Sequence, residues 1–403
     1  MTGGRKVLVV TTTFPRRNGD DQPRFVLDLC KSLRGDYEQL VLAPSAPGCS
    51  VDECVEGVKV KRFRYFFKQA ETLAYGTGIL GNLKSAPVRW LLVPFFLFGL
   101  MIAIRKELRR FDPDIVHAHW WLPSGLAATL ALATTRTDCR LLITCHGADY
   151  FVLGERFGGL RRRVFDRADA VAMVSPAMRD HAIRRGLPEE KLSIAPMGVN
   201  LSEHFKPSKV KERRGVLYVG RLVEKKGVAD LLAGWAAASE EVRAQGLTII
   251  GSGFQQDSLL ALAESLGVSD TVAFLGAIAH EDLPAHYQRA ALLVFPSIIS
   301  SENDQEGLGL VAVEAMACGC PVLASDIPSL ADVIVEGQTG FVFPMGNQAA
   351  LTRRLDELVS SPKHCREVAE RGGEIARARF GWTAVGDKYQ SLYEGLIRPN
   401  DPD

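Results

Sequence analysis

Short apolar runs recur along the chain, and most are followed by a stretch with helical spacing. In the first half the runs are "KVLVVTT" (Lys6 to Thr12), "QLVLA", "VKVKRF", "DIVHAH", "RLLITCH" and "AVAMVS". In the second half they are "GVLYVG", "LTIIG", "VAFLG", "LLVFPS", "PVLAS" and "GFVF". Continuous apolar runs of this length predict buried strands of parallel sheets covered on both faces. Segments such as "GVADLLAGWAAASEEVRA" and "DSLLALAESLG" read as the intervening helices. Two such sets predict an α/β protein of two Rossmann-like, doubly wound domains. The stretch "APMGVNLSEHFKPSKVKERRG", punctuated by Pro196, Gly198 and Pro207, separates them, and a fresh strand starts at Gly215. The predicted domains are residues 1–205 and 206–382, followed by a helix at about 383–398 and a frayed end at 400–403.

One run departs from this rhythm. "WLLVPFFLFGLMIAI", residues 90–104, carries no charge. It is shorter than the ~20 residues a spanning helix needs, and Pro94 and Gly99 interrupt it, so it is not predicted to cross a membrane. Lys84, Arg89, Arg105, Lys106, Arg109 and Arg110 bracket it, and the aromatic and basic "KVKRFRYFFKQ" lies upstream. Two readings stand: a helix buried against the first sheet, or an apolar face resting on anionic lipid.

A length of 403 residues exceeds one compact domain. Lys+Arg number 48 against Asp+Glu 47, a net charge of +1, which argues against a dedicated nucleic-acid binder. Cysteines at 30, 49, 54, 139, 145, 318, 320 and 365 contain no Cys-x2-Cys pair. They read as those of a reduced, cytoplasmic protein, with Cys318 and Cys320 in packing roles. The N-terminal apolar run is too short for a secretion signal.

Ligands of doubly wound sheets collect at the carboxyl ends of strands, and with two sheets the cleft between the domains is the expected active site. Arg221 and Lys226 follow "GVLYVG" just before a helix, where a planar fork and a point charge suit a diphosphate. Gly251 and Gly253 follow "LTII" and let a backbone approach a ligand. No Gly-x-Gly-x2-Gly follows the first strand, which disfavours a dinucleotide dehydrogenase. In "EGLGLVAVEAMACG", Glu306 is expected in a loop and Glu314 about two turns into a helix. Eight helical positions span roughly 12 Å, so the two carboxylates have separate tasks. The amides of Gly307, Leu308, Gly309 and Leu310 would stand at the positive end of that helix, an anion site. Glu314 would then reach hydroxyls further along, such as a ribose diol. His146 follows "RLLITC", beside Gly147 and Asp149, and is a candidate catalytic group. His117 and His119 alternate onto one strand face, with no third residue at metal-ligand spacing, and read as packing or cleft-wall residues.

Taken together, "FP…GD", "HAHWWLPSG", "TCHGAD", "PMGVN", "GRLVEKKG", "GSG" and "EGLGLVAVEAMACGCPVLASD" resemble the retaining glycosyltransferases of family 4. Among them the resemblance points to exopolysaccharide and cell-envelope enzymes. It covers nearly the whole chain and implies a GT-B fold, two Rossmann-like domains facing a cleft. It also implies sugar transfer from a UDP- or GDP-sugar to a hydroxyl of a glycan, lipid-linked or small-molecule acceptor. On this match Arg221 and Lys226 neutralise the diphosphate, Gly251 and Gly253 line the donor site and Glu314 holds the ribose. Glu306 and the amides of Gly307 to Leu310 hold the transferred sugar, which His146 contacts from the other domain. Gly19 and Asp149 fall on the acceptor side, though "RRNGDD" has a single glycine where many members have a pair. No metal or other cofactor is implied, because fixed cations take the metal's electrostatic role. The diphosphate oxygen itself takes the acceptor proton, with Glu306 as the fallback nucleophile. The competing readings are a non-catalytic nucleotide-sugar-binding protein, which needs neither His146 nor Glu306, and an epimerase on the same fold. No nucleic-acid partner is implied, and the place of work is the cytoplasm or the inner face of its membrane.

Overall fold

Runs rich in valine, isoleucine and leucine become strands because branched side chains fit a pleated surface covered on both faces. The computed structural model describes residues 5–20, 22–33, 35, 37–76, 78–153, 157–208, 210 and 212–397. The expected frayed end at 400–403 and position 398 of the last predicted helix lie outside them.

In the first unit the strands are β1 (Arg5–Val10), β2 (Tyr37–Pro44), β3 (Asp52–Val55), β4 (Val58–Phe63), β5 (Ile115–His119), β6 (Arg140–Cys145), β7 (Ala170–Met173) and β8 (Leu192–Ile194). They form one sheet in the order β3-β4-β2-β1-β5-β6-β7-β8. All pairings are parallel except β3 with β4. The apolar pattern does not reveal β3 or β8: "DECV" is a polar edge strand and "LSI" has one fully buried position. The second sheet runs β11-β10-β9-β12-β13-β14, all parallel. Its strands are β9 (Val216–Val219), β10 (Leu247–Ile250), β11 (Val272–Gly276), β12 (Leu292–Phe295), β13 (Val322–Ser325) and β14 (Phe341–Phe343). Strand order reverses between β1 and β5 in one sheet and between β9 and β12 in the other. Those are the points where a doubly wound sheet opens a ligand crevice.

The chain passes from the first unit to the second between Gly198 and Val199, ahead of the predicted boundary at 205/206. The reason is local. Val199 donates its N–H to Phe380 O at 2.8 Å, and Phe205 is fully buried against Tyr287 and His280. The helix Trp382–Leu396 rejoins the first unit from Val385 on. There Tyr393 Oη lies 2.8 Å from His117 Nδ1, and Tyr389 Oη donates to Ala195 O at 3.2 Å.

Two predicted helices differ in extent. The 228–243 segment is two helices, Val228–Ala237 and Glu240–Arg243. Ser239 divides them because its hydroxyl caps the second one, accepting the Val242 N–H at 3.4 Å. The uncharged 90–104 run belongs to a longer helical element. Tight turns at Pro87–Leu92 continue into Val93–Arg110, and these 24 residues are long and apolar enough to span a membrane by length and composition. Pro94 falls in the first turn of the helix, where it breaks no hydrogen bond. Gly99 marks close packing on the chain after β4, since a Cβ there would stand 2.9 Å from Arg64 O.

Candidate active site

The turn after β9 carries its cations inward. Lys225 and Lys226 lie in a short 3-10 turn, Glu224–Lys226, and both are buried. Lys226 Nζ stands 2.9 Å from Glu306 Oε1 and lies over the Phe295 ring. Lys225 Nζ donates to Asp304 Oδ1 at 3.0 Å and is 3.9 Å from the same Glu306 oxygen. Arg221 is exposed at the start of the turn. The loop after β12 is tied to this turn on both sides. Ile298 donates its N–H to Lys225 O at 2.8 Å, and Ser301 donates its N–H to Glu224 Oε1 at 2.8 Å. Strand adjacency explains the meeting, because β9 and β12 are neighbours at the reversal of strand order.

Burial pushes the Glu306 carboxyl up, but Lys226, Lys225 and Arg221 outweigh it and hold it below the ordinary range. Burial lowers the Lys226 ammonium, and Glu306 only partly offsets this because Lys225 and Arg221 repel it. Glu306 and Asp304 thus sit among three cations, and the remaining positive charge is what an anionic ligand would meet. Lys225 was not expected from sequence. Its neighbour Lys226 drew the assignment, and the only signal for Lys225 was the doubled lysine in "VEKKG".

The helix Leu310–Ala317 starts later than expected, so Glu314 lies just over one turn from its start and the fully helical 12 Å spacing does not hold. Gly309 enters it at φ 75°, and a Cβ there would stand 2.3 Å from Leu330 Cδ2, so any other residue would be strained and would have to displace the end of Leu330. The N–H groups of Gly307, Leu308, Gly309 and Leu310 have no acceptor among the described residues. Unpaired N–H groups at a helix head are where an anionic ligand is expected to bind. Glu314 is already engaged: it accepts from Tyr287 Oη at 3.0 Å and lies 3.1 Å from His280 Nε2. A ribose would have to share or displace these partners. Neither Tyr287 nor His280 was legible as a site residue.

Gly251 and Gly253 are required by packing within the protein itself. A Cβ at Gly251 would stand 1.9 Å from Gly220 O, and one at Gly253 2.2 Å from Leu222 O. The close approach is to the neighbouring backbone after β9, where Leu222 donates its N–H to Ser252 O at 3.0 Å. The two glycines therefore hold the Arg221 turn in place.

The reversal point of the first sheet gathers aromatic rings. His146 packs against Phe25 at 5.1 Å and Trp120 at 4.8 Å between ring centroids. Trp120 has φ 68°, left-handed backbone in a bulky residue, a strain typical of functional sites. His146 Nε2 lies 3.1 Å from His119 Nδ1. His119 is fully buried and its Nε2 has no hydrogen-bond partner among the described residues. An orphaned buried acceptor is tolerated better than an orphaned N–H. The tautomer that leaves a bare acceptor and not a bare N–H puts the proton on His119 Nδ1, facing His146 Nε2, with the His146 proton on Nδ1. Burial lowers all three histidines, His117 and His146 to about 3 and His119 well below its ordinary value, so the cluster is neutral. His119 packs at the strand end as expected of a wall residue and also lies within hydrogen-bond distance of His146.

Asp149, expected on the acceptor side, has a structural task in the His146 loop. It is buried, Oδ1 accepts the His146 N–H at 2.9 Å and Oδ2 accepts the Trp121 N–H at 3.0 Å. Burial raises its carboxyl to about 6 against four backbone donors that lower it. Both oxygens accept backbone N–H groups, so Asp149 ties the His146 loop to the chain after β5. Gly19 lies exposed in the turn spanned by the 2.6 Å Arg16–Asp20 ion pair. A Cβ at that position would meet no atom within 4 Å, so no close approach explains the glycine there. No group of three or more His, Cys, Asp or Glu residues suited to a metal ion occurs among the described residues.

Residues 22–203 match the family described as Glycosyltransferase Family 4, and residues 200–375 match Glycosyl transferases group 1. The chain is 30% identical over 289 residues to the GDP-mannose-dependent alpha-(1-6)-phosphatidylinositol monomannoside mannosyltransferase of Mycolicibacterium smegmatis, covering 67% of this chain and 75% of that protein. The chain belongs to glycosyltransferase family 4. It is also 25% identical over 316 residues to the N-acetyl-alpha-D-glucosaminyl L-malate synthase of Bacillus anthracis, covering 76% of this chain and 81% of that one. Among solved structures, sucrose-phosphate synthase from Thermosynechococcus elongatus superimposes with a TM-score of 0.77 at 23% identity, over 98% of this chain and 99% of the other. The Anabaena protein HepE, solved with UDP and glucose, gives 0.70 at 20% identity over 97% and 100%. These neighbours share the GT-B fold. The lysine turn, the amide row and the histidine cluster are thus parts of a family 4 glycosyltransferase.

Proposed function

We propose that this glycosyltransferase moves a hexose from a UDP- or GDP-sugar to a hydroxyl of a glycan, lipid-linked or small-molecule acceptor, with retention of anomeric configuration and without a metal. The observation that carries this is the convergence of Arg221, Lys225 and Lys226 with the unpartnered amides of residues 307–310 at one strand reversal. Fixed charges and backbone donors of this kind stabilise negative charge where it develops, at a departing diphosphate. The M. smegmatis relative is named for a GDP-sugar donor, and HepE was solved with UDP and glucose, which supports a nucleotide-sugar donor of either base.

In the proposed step the bond from the anomeric carbon to the diphosphate oxygen breaks while the acceptor oxygen bonds to the same face of that carbon. The acceptor proton passes to the departing diphosphate oxygen. Glu306 is a weakened nucleophile, because two lysines beside its Oε1 lower the basicity of the carboxylate. Its assigned task is to fix Lys226 through Oε1 and to accept from a sugar hydroxyl through Oε2. Glu314 binds the ribose diol, released in part by Tyr287 and His280. The motif match assigns His146 the contact with the transferred sugar, and the tautomer set by His119 would present an Nδ1–H donor there.

The test incubates the protein with labelled UDP- and GDP-sugars in chelator, with and without acceptor extracts. Acceptor-dependent nucleotide release, and a product whose anomeric proton coupling matches the donor's, are expected. An inverted product, or an epimerised donor, would refute the reading. Melting in the presence of UDP or GDP separates pure binding from transfer, since a ligand of the folded state raises the midpoint by mass action. A shift without any release would identify a binding protein.

A further inference from the structure

We propose that the outer face of residues 87–110 is a docking surface for an anionic lipid bilayer, on which the protein lies without crossing it. This goes beyond the transfer reaction and does not depend on it, because the measurement below reads binding alone.

The element has two apolar stripes. Phe96, Leu100, Ile104 and Leu108 are buried in the first unit, at the four-residue spacing of one helix face. The opposite stripe is apolar too, yet bare. Leu91 is 71% exposed, Phe95 49%, Phe98 60% and Ile102 47%. From Leu91 to Ile102 this stripe runs about 16 Å along the helix. The chain before it extends the patch. Phe66 packs edge-on against Phe95 at 4.9 Å, and the adjoining Phe67 is 73% exposed. A contiguous apolar patch of this extent marks an interaction surface.

Charge decides which one. Between residues 84 and 110 the chain has six cations, Lys84, Arg89, Arg105, Lys106, Arg109 and Arg110, and one acid, Glu107. Glu107 is buried, and its Oε2 accepts from Lys61 Nζ at 2.9 Å, so it does not offset the exposed cations. The apolar stripe gives way to exposed Lys106, Arg109 and Arg110 at its C-terminal end, with Lys84 exposed at the other. A bare apolar face between basic ends matches the acyl boundary and anionic headgroups of a membrane surface. It matches a second copy of the same face poorly, because the like-charged ends would meet. The element also stays on the surface. Its buried stripe, and the fit of Gly99 against Arg64 O, tie it to the first unit, and a spanning helix would have to give up both.

The experiment is flotation of the whole chain with vesicles of phosphatidylcholine alone, or with added phosphatidylglycerol. Binding to the anionic vesicles, weakened by salt, is expected, with little binding to phosphatidylcholine alone. Phe95→Ser with Phe98→Ser should abolish binding, and Arg109→Glu with Arg110→Glu should weaken it by at least about tenfold. All four positions are exposed, so melting curves should match the parent; if the serine variant unfolds, the charge-reversal variant decides. Failure to float with either vesicle, equal binding to both, or indifference to both variants would overturn the proposal. Retention after an alkaline wash would replace docking with insertion. Concentration-dependent dimers that vanish in the serine variant, without vesicle binding, would assign the face to a second copy.

Discussion

Lys226→Ala is expected to lower turnover by about two to three orders of magnitude, the loss typical of removing one preorganised donor from developing negative charge. Lys226 is placed for that role: it is buried, and its Nζ is held 2.9 Å from Glu306 Oε1 and lies over the Phe295 ring. Because the charge it meets grows as the diphosphate departs, kcat and kcat/KM should fall together. The variant also leaves Glu306 short of a partner. Removing one member of a buried pair destabilises by about 3–5 kcal/mol, but Lys225 remains 3.9 Å from the same oxygen, so the loss should fall below that range. Turnover under saturating donor, alongside the melting midpoint, separates the two effects. Near-parental turnover in a folded variant would remove the lysine from the mechanism.

Lowering the pH from 7 to 5 is expected to destabilise the first unit strongly, through its buried histidines. Burial lowers His117 to about 3 in the folded chain, whereas an unfolded histidine titrates near 6.5. A folded value below the unfolded one means that the unfolded chain takes up the proton first. The stabilisation is therefore complete above pH 6.5 and is lost as pH falls toward 3. At pH 5 the loss from His117 alone is about 2 kcal/mol. His119 shifts in the same direction and is fully buried, so it adds to the loss. His146 shifts likewise at the edge of the cluster. Denaturant midpoints across this pH range read the effect, and His117→Phe with His119→Phe should flatten the profile even if it lowers the midpoint at pH 7. Nitrogen-15 shifts report the tautomers directly: His119 protonated on Nδ1, with His146 Nε2 accepting. A profile that is flat in the parent, or a protonated His119 Nε2, would refute the description of the cluster.

Much of the site was legible because doubly wound sheets place ligand-facing residues after strands. The run "GVLYVG" pointed to Arg221 and Lys226, "LLVFPS" to Glu306 and the amide row, and "RLLITC" to His146. The misses share a cause: the partner of a polar group lies on a segment far along the chain. Lys225 was invisible until β12 brought Asp304 and Glu306 beside it. Tyr287 and His280 reach Glu314 from outside its own helix. Asp149 looked available in one dimension, yet the Trp121 amide, supplied by the chain after β5, occupies its second oxygen.

Sequence alone determined the α/β architecture, the family and the strand ends from which the site is built. Apolar periodicity records local burial, and a strand or helix needs little more than that to form. Only the tertiary structure decided which charges meet, why Gly251 and Gly253 must be glycine, and which stripe of the 87–110 element stays bare. These depend on distances between segments far apart in the chain, and such distances follow from sheet order and packing.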